Sequence, residues 1–457
     1  MSGISSHILL GTAILLCFLL AFRRIDGAWC PPATLFVLGF FSSTYLYAAN
    51  ILSYSTEFVG FAYENFSSAL ILTSGCFAAL LAGYVVHAVL SRSRRVSTAP
   101  PLAPLLLPKS SQVIGILLLC LCAFVVFYTI HSGTLTSVRG ENSYVSDSDV
   151  NWWYRLGFMA SNTVGPLMLM LGIAALSLSA RGRKRALVHI KLAATIVIAL
   201  TVLLFNRQAA VVLILYLAIL YHYRIKHFKK KQVLLVLLAL VVLQVIRGFR
   251  NLRVPLAQIT TSDLLFLLQE ILSIDYLFST VIGIFTGIAG WDVFTNVINI
   301  VPMREDYKYG WTYLSSLLGL LTPRALGLGS FAAVTPSVWY VDIYAPGTTN
   351  HGFDFSMLAE AYINFGSYMP MFFFFLGILV ARLSKLILTT GSSVKLFCAV
   401  IVLVALTFGL RSDSNTLLKT CFYYTIPPLL LAGILNRFFK RTPREAASYS
   451  PRHHVTR

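Results

Sequence analysis

The stretch "KKKQVLLVLLALVVLQVIRGFRNLR" occupies residues 229–253. Three lysines stand at its near end, no charge interrupts residues 232–246, and Arg247, Arg250 and Arg253 stand at its far end. An uncharged run of this length reads as a membrane helix, so its two charged ends face opposite sides of a bilayer. Basic residues normally mark the cytoplasmic side alone. The lysines obey that rule and the arginines do not. Which side each end faces therefore decides the topology, and the arginines call for a chemical reason.

Composition gives the frame. Of 457 residues, 57% are hydrophobic and only 12% are charged, and the mean hydropathy is +0.77. A chain this apolar is expected to be an all-α polytopic membrane protein. A bilayer core takes about 20 apolar residues per helix. Eight runs approach this length before Arg247, at 7–22, 33–52, 69–90, 111–130, 156–178, 190–206, 208–223 and 232–246. Three more follow at 367–388, 395–411 and 416–436. The first, "HILLGTAILLCFLLAF", lacks a basic leader and a cleavage site and reads as a retained helix. The sixth and seventh runs meet at "NRQ" (206–208), which calls for a tight helical hairpin.

The loops alternate in charge. Basic clusters at Arg23/Arg24, Arg92/Arg94/Arg95, "RGRKR" (181–185), "RIKHFKKK" (224–231), Arg382/Lys385/Lys395 and "RFFKRTPRE" (437–445) all fall on one side. That side holds 25 of the 36 basic residues but only 2 of the 17 acidic ones, Asp26 and Glu445. The net charge of +19 thus orients the chain and does not describe a nucleic-acid surface. The basic side is expected to be cytoplasmic, with the N-terminus outside and the C-terminus inside. The expected organisation is an N-terminal membrane bundle of eight helices (1–246), a large external segment (247–366), three C-terminal membrane helices (367–436) and a basic cytoplasmic tail (437–457).

The external segment is not hydrophilic. Residues 264–290 and 311–329 are apolar but interrupted, the first by Gln269, Glu270 and Asp275, the second by Pro323 and glycines. They read either as a further transmembrane pair or as short or re-entrant helices around a cavity, where irregular backbone at membrane depth is tolerated. The whole is a bundle of about 11 to 13 transmembrane helices. "STAPPLAPLLLPKS" (97–110) reads as a proline-rich cytoplasmic loop. The seven cysteines lie mostly inside apolar runs and suggest neither a disulfide framework nor a metal site.

External arginines are the main chemical signal. Arg207, Arg247, Arg250, Arg324 and Arg411 sit at the outer ends of different apolar runs. One interfacial arginine snorkels or pairs with a neighbouring acid, as Arg411 would with Asp413. A set of them implies an anion at the outer surface. Arg247 and Arg250 share a helix face, and guanidinium forks bind phosphate bidentately. Carboxylates are the second signal. Glu360 lies in "MLAEAYINFG" (357–366) and is read either as a general base or as a partner of one of the arginines. His351 and Asp275 are further candidates for proton transfer. Outer aromatics such as Tyr309, Trp311 and Trp339 form an interfacial belt or sugar-stacking platforms. No Walker, GxGxxG, DxD-like or HExxH motif is present. No cofactor and no metal is expected.

Two segments carry a resemblance. "YGWTYLSSLLGLLTPRALG" (309–327) and "GFDFSMLAEAYINFGSYMPMFFFFLGIL" (352–379) resemble the Wzy-type oligosaccharide repeat-unit polymerases, with their YG-x-[ST]-Y, PR and G-F-x6-E-x-Y-x-N-F-G elements in that order. "FNRQAAVVLILYL" (205–217) and "LRSDSN" (410–415) look like that family's arginine-bearing helix ends. The family's Lys-Pro pair after PR is missing here, where "ALGLGSFAAVTP" follows Arg324. The resemblance implies a GT-C-like glycosyltransferase fold that transfers a glycan from an undecaprenyl-diphosphate carrier onto an incoming lipid-linked repeat unit at the periplasmic face of the inner membrane. It implies that Arg207, Arg247, Arg250, Arg324 and Arg411 bind diphosphates and that Glu360 or His351 is the base. Tyr362, Asn364, Asp275 and Tyr309 would contact acceptor or sugar. The lipid-linked oligosaccharide, membrane lipids, a chain-length regulator and a flippase would be its partners. An O-antigen ligase with the same donor, or a lipid-linked glycan flippase, are the alternatives; a flippase would place charges from several helices at midplane depth.

Overall fold

The computed structural model describes residues 2–26, 31–46, 66–91, 101–131, 152–204, 207–228, 291–321, 335–344 and 355–440. These residues form helices and turns, with no strand among them. The helices are α1 (Ser2–Asp26), α2 (Thr34–Phe41), α3 (Phe66–Leu90), α4 (Pro108–His131), α5 (Trp152–Ser177), α6 (Ala180–Leu204) and α7 (Arg207–Leu220). Later in the chain come α8 (Trp291–Ile300), α9 (Trp311–Leu321), α10 (Pro336–Tyr344), α11 (Met357–Phe365), α12 (Met369–Thr389), α13 (Ser393–Gly409) and α14 (Ser414–Phe438). Ten of the eleven apolar runs are thus helical over most of their length. The run 232–246 and the segment 264–290 lie outside the described residues.

Four stretches among the described residues are helical, long and apolar enough to cross a bilayer: Phe66–Leu90, Pro108–Tyr128, Met357–Thr389 and Ser414–Phe438. Shorter apolar helices accompany them, including Asn162–Ser177, Val211–Ile225 and Ser393–Gly409. This is a helical membrane protein.

The most extensive helix pair joins the two halves of the chain, α3 against α12. Glycines permit it. A Cβ on Gly83 would lie 1.9 Å from the Phe374 carbonyl oxygen, and one on Gly377 would lie 2.1 Å from that of Leu80. Two backbones meet here directly, the packing mode small residues allow where lipid supplies no hydrophobic drive between helices. Phe18, Phe22, Phe40, Phe77 and Phe373 fill the adjoining core with ring contacts.

At one end of the bundle the basic helix termini are tied together: Lys385 Nζ donates to the Ser91 carbonyl at 2.7 Å, and Arg224 Nη2 to the Thr390 carbonyl at 2.7 Å. The proline-rich loop belongs to this end, and it is not a loose linker. Leu105 and Leu106 are buried, Ala103 N–H donates to the Gly391 carbonyl at 2.8 Å, and Ser393 Oγ donates to the Ala103 carbonyl. Asn436 closes the contact, donating to the Leu105 carbonyl and accepting from Leu107 N–H. The opposite end carries α9, α11 and the starts of α12 and α14.

Candidate functional site

The site is built where α11 begins. Ser356 caps α11, its hydroxyl accepting from Ala359 N–H at 3.2 Å. Glu360 and Asn364 are one turn apart and share a face. Gly366 ends the helix at φ 54°, a conformation costly for other residues. A Cβ there would meet the Tyr307 ring at 2.9 Å. Gly366→Ala is therefore expected to destabilise the protein by about 1–3 kcal/mol, read as a lower melting temperature in detergent.

Two other elements reach this face. Lys308 N–H donates to the Ile363 carbonyl at 2.7 Å, and Trp311 N–H closes a turn on the Lys308 carbonyl at 2.8 Å. The central residues of that turn, Tyr309 and Gly310, have φ values of 46° and 87°. Two positive φ angles are the sign pattern of a type I′ turn, which explains a glycine in the second place. The turn launches α9. From the far end of the sequence, Asp413 caps α14, its Oδ1 accepting from Thr416 N–H at 2.9 Å.

These elements close on Glu360, which is 1% exposed. Oε1 accepts from Thr312 Oγ1 at 2.7 Å and from Ser414 Oγ at 2.6 Å, and Oε2 accepts from Ser414 N–H at 2.6 Å. A carboxylate has about four acceptor positions, so three are taken. Ser414 Oγ also lies 2.9 Å from Ser316 Oγ. Asn364 extends the network: Nδ2 donates to Thr312 Oγ1 at 2.6 Å and to the Glu360 carbonyl at 2.8 Å, while Oδ1 accepts from Gly310 N–H at 2.9 Å. Tyr313 stacks on Phe365 and Phe372, and α10 is fixed by Ser337 Oγ donating to Asp413 Oδ2 at 2.7 Å.

The expected residues fall in different places. Glu360 and Asn364 come together with Thr312, Ser316 and Ser414. Tyr362 is also interior, its hydroxyl donating to the Val301 carbonyl at 3.3 Å and its ring near Phe294 and Tyr307. Tyr362 and Asn364 thus build the wall of the site. Tyr309 stands 81% exposed at the tip of the turn. Arg207 is the first residue of α7, and Arg411 lies half-buried between α13 and the Asp413 cap. Arg247, Arg250, Asp275, Arg324 and His351 lie outside the described residues.

Asp413 accepts from Thr416 N–H and Ser337 Oγ. Glu360 is held by hydroxyls and a backbone N–H, and no lysine or arginine among the described residues pairs with it. Thr312, Ser316 and Ser414 are the residues that sequence reasoning passed over. All three lay inside the quoted stretches, Thr312 and Ser316 in "YGWTYLSS" and Ser414 in "RSDSN".

Protein-family models give no match to this chain, and no curated protein or solved structure is significantly similar to it.

Proposed function

We propose that the protein is a metal-independent glycosyltransferase that polymerises undecaprenyl-diphosphate-linked oligosaccharide repeat units at the periplasmic face of a bacterial inner membrane. The observation that supports this reading is the convergence at Glu360. Three elements that carry the resemblance, at 309–313, 357–366 and 410–415, are separate in sequence and interlock in one hydrogen-bonded node. Elements that meet in this way act as a unit.

In the proposed reaction an acceptor hydroxyl oxygen bonds to the anomeric carbon of the donor glycan while the bond from that carbon to the carrier diphosphate breaks. The hydroxyl proton passes to a base, and undecaprenyl diphosphate leaves as an anion. Direct displacement inverts the anomeric configuration. The arginines Arg207, Arg247, Arg250 and Arg411 stabilise the departing diphosphate, where fixed cations contribute most in a water-poor site. His351 is the better base of the two candidates. Glu360 is buried and already accepts three hydrogen bonds, so it positions the Tyr309 turn and the Arg411 segment. Tyr309 offers a ring to a pyranose face.

Arg247→Ala and Arg250→Ala are each expected to abolish polymer while the protein stays in the membrane, since a lost charge-assisted contact to a desolvated diphosphate costs about 3 kcal/mol of transition-state stabilisation. Gel analysis of surface polysaccharide in a complemented knockout would show single repeat units only. Normal polymer length in the double variant removes the diphosphate site from the proposal. Purified protein with a defined lipid-linked repeat unit tests the activity itself.

A further inference from the structure

Helix α9 is inside out for a helix in water. Its residues Thr312, Ser315 and Ser316 are buried, between 5% and 8% exposed. Trp311, Leu314, Leu317 and Leu318 face outward at 53%, 48%, 44% and 36% exposure. At 100° per residue the two sets occupy opposite arcs of the helix. The helix carries no charged residue. A helix on a soluble surface shows the reverse pattern, with its apolar stripe toward the core.

The inward hydroxyls have a task, because Thr312 and Ser414 hold Glu360 and Ser316 lies against Ser414. The outward row is apolar and exposed. Its neighbours say what covers it. Tyr313 stacks on Phe372 of α12, and α9 packs along α14. Both belong to stretches apolar and long enough to cross the bilayer. Each shows the same outward apolar row, Met371, Phe375 and Leu379 on α12 and Tyr423, Ile426, Leu430 and Ile434 on α14. The surface is continuous in chemistry across all three helices.

We infer that α9 is a membrane-embedded half-helix: its Trp311–Leu314–Leu318 face lies against the acyl chains of the outer leaflet, and its hydroxyl face seals Glu360 from them. Eleven residues rise about 16 Å, roughly half of the hydrocarbon core of about 30 Å. A helix of this length does not cross alone. Exposed to lipid on one side, it requires every inward polar group to find a protein partner, and Thr312, Ser316 and Ser414 do so around the carboxylate. The Glu360 node is then a polar island at membrane depth, reached from the aqueous side past the Tyr309 turn. The inference is independent of the proposed activity.

Nitroxide labels on the full-length protein in liposomes test it. Single-cysteine variants at Leu314, Leu317 and Leu318, in a background without the native cysteines, are compared with Phe375 as the lipid reference and Lys440 as the water reference. All five positions are exposed or at the outer row, so a label displaces no packing. The α9 labels are expected to collide with oxygen as Phe375 does and to be shielded from a polar nickel chelate. Collision with the chelate at the level of Lys440 overturns the inference, because the face is then in water. Shielding from both reagents also overturns it, because another part of the chain or a protein partner then covers the face.

Discussion

Gly377→Ala and Gly83→Ala are each expected to leave little folded protein in the membrane, although each adds a single methyl. Along most helix pairs an added methyl finds a neighbouring side chain that can turn away. Here the neighbours are carbonyl oxygens of the facing helix, 2.1 Å from a Cβ on Gly377 and 1.9 Å from one on Gly83. A carbonyl in a helix is fixed by its own hydrogen bond, so the helices themselves must part. The expected cost is about 3 kcal/mol or more, at or above the top of the usual range for overpacking, and it falls on the contact that joins the N-terminal and C-terminal halves. Fluorescence-detected gel filtration in detergent should show loss of the monodisperse peak. Gly75 and Gly433 supply the controls. A Cβ on Gly75 would sit 3.5 Å from Pro370 Cγ, an ordinary contact, and one on Gly433 meets nothing within 4 Å. Alanine at either is expected to behave as wild type or better, since glycine weakens a helix by about 1 kcal/mol relative to alanine. Wild-type melting of Gly83→Ala would mean that α3 and α12 do not cross this closely.

Much of this architecture can be read from charge. The basic ends of the apolar runs are the ends that the structure ties together, Lys385 to Ser91 and Arg224 to Thr390. The spacing of Glu360 and Asn364 likewise places them on one face before any coordinates are known. What escaped the sequence has a physical cause in each case. Thr312 and Ser414 are 48 and 54 residues from Glu360. A serine or threonine in a membrane helix most often returns its hydroxyl to its own backbone, as Thr407 does to the Leu403 carbonyl, so it gives no sign of a distant partner. Two hydroxyls and an N–H fill three of the acceptor positions of Glu360 without a second desolvated ion, while Arg247, Arg250 and Arg324 lie outside the described residues. The docking of 101–107 was equally silent. Its prolines describe a chain that cannot be helical, and only Leu105 and Leu106 hint that it is buried.

The role of Glu360 separates two mechanisms, and the pattern across three substitutions decides between them. If the carboxylate takes the acceptor proton, Glu360→Gln and Glu360→Ala lose turnover alike, by about 10²-fold or more, because neither can accept a proton. Thr312→Val would then matter little. If Glu360 is the keystone of the node, the two variants part company. Glutamine has nearly the same shape, and its carbonyl oxygen can still accept from Ser414 N–H, while its amide group donates to hydroxyls that are free to turn. Alanine leaves Ser414 N–H and the hydroxyls of Thr312 and Ser414 without their acceptor in a buried place, at about 1–3 kcal/mol for each donor stranded. Glu360→Ala is therefore expected to lose both turnover and thermal stability, Glu360→Gln to retain most of both, and Thr312→Val to resemble a mild Glu360→Ala. The effects of Thr312→Val and Glu360→Ala should combine to less than their sum, because the first removes a donor that the second strands. Turnover on a defined lipid-linked repeat unit and melting temperature, measured on the same purified protein, give all of these values. A Glu360→Gln protein that melts as wild type but turns over about 10²-fold more slowly would return the proton to Glu360 and leave His351 without a part in the reaction.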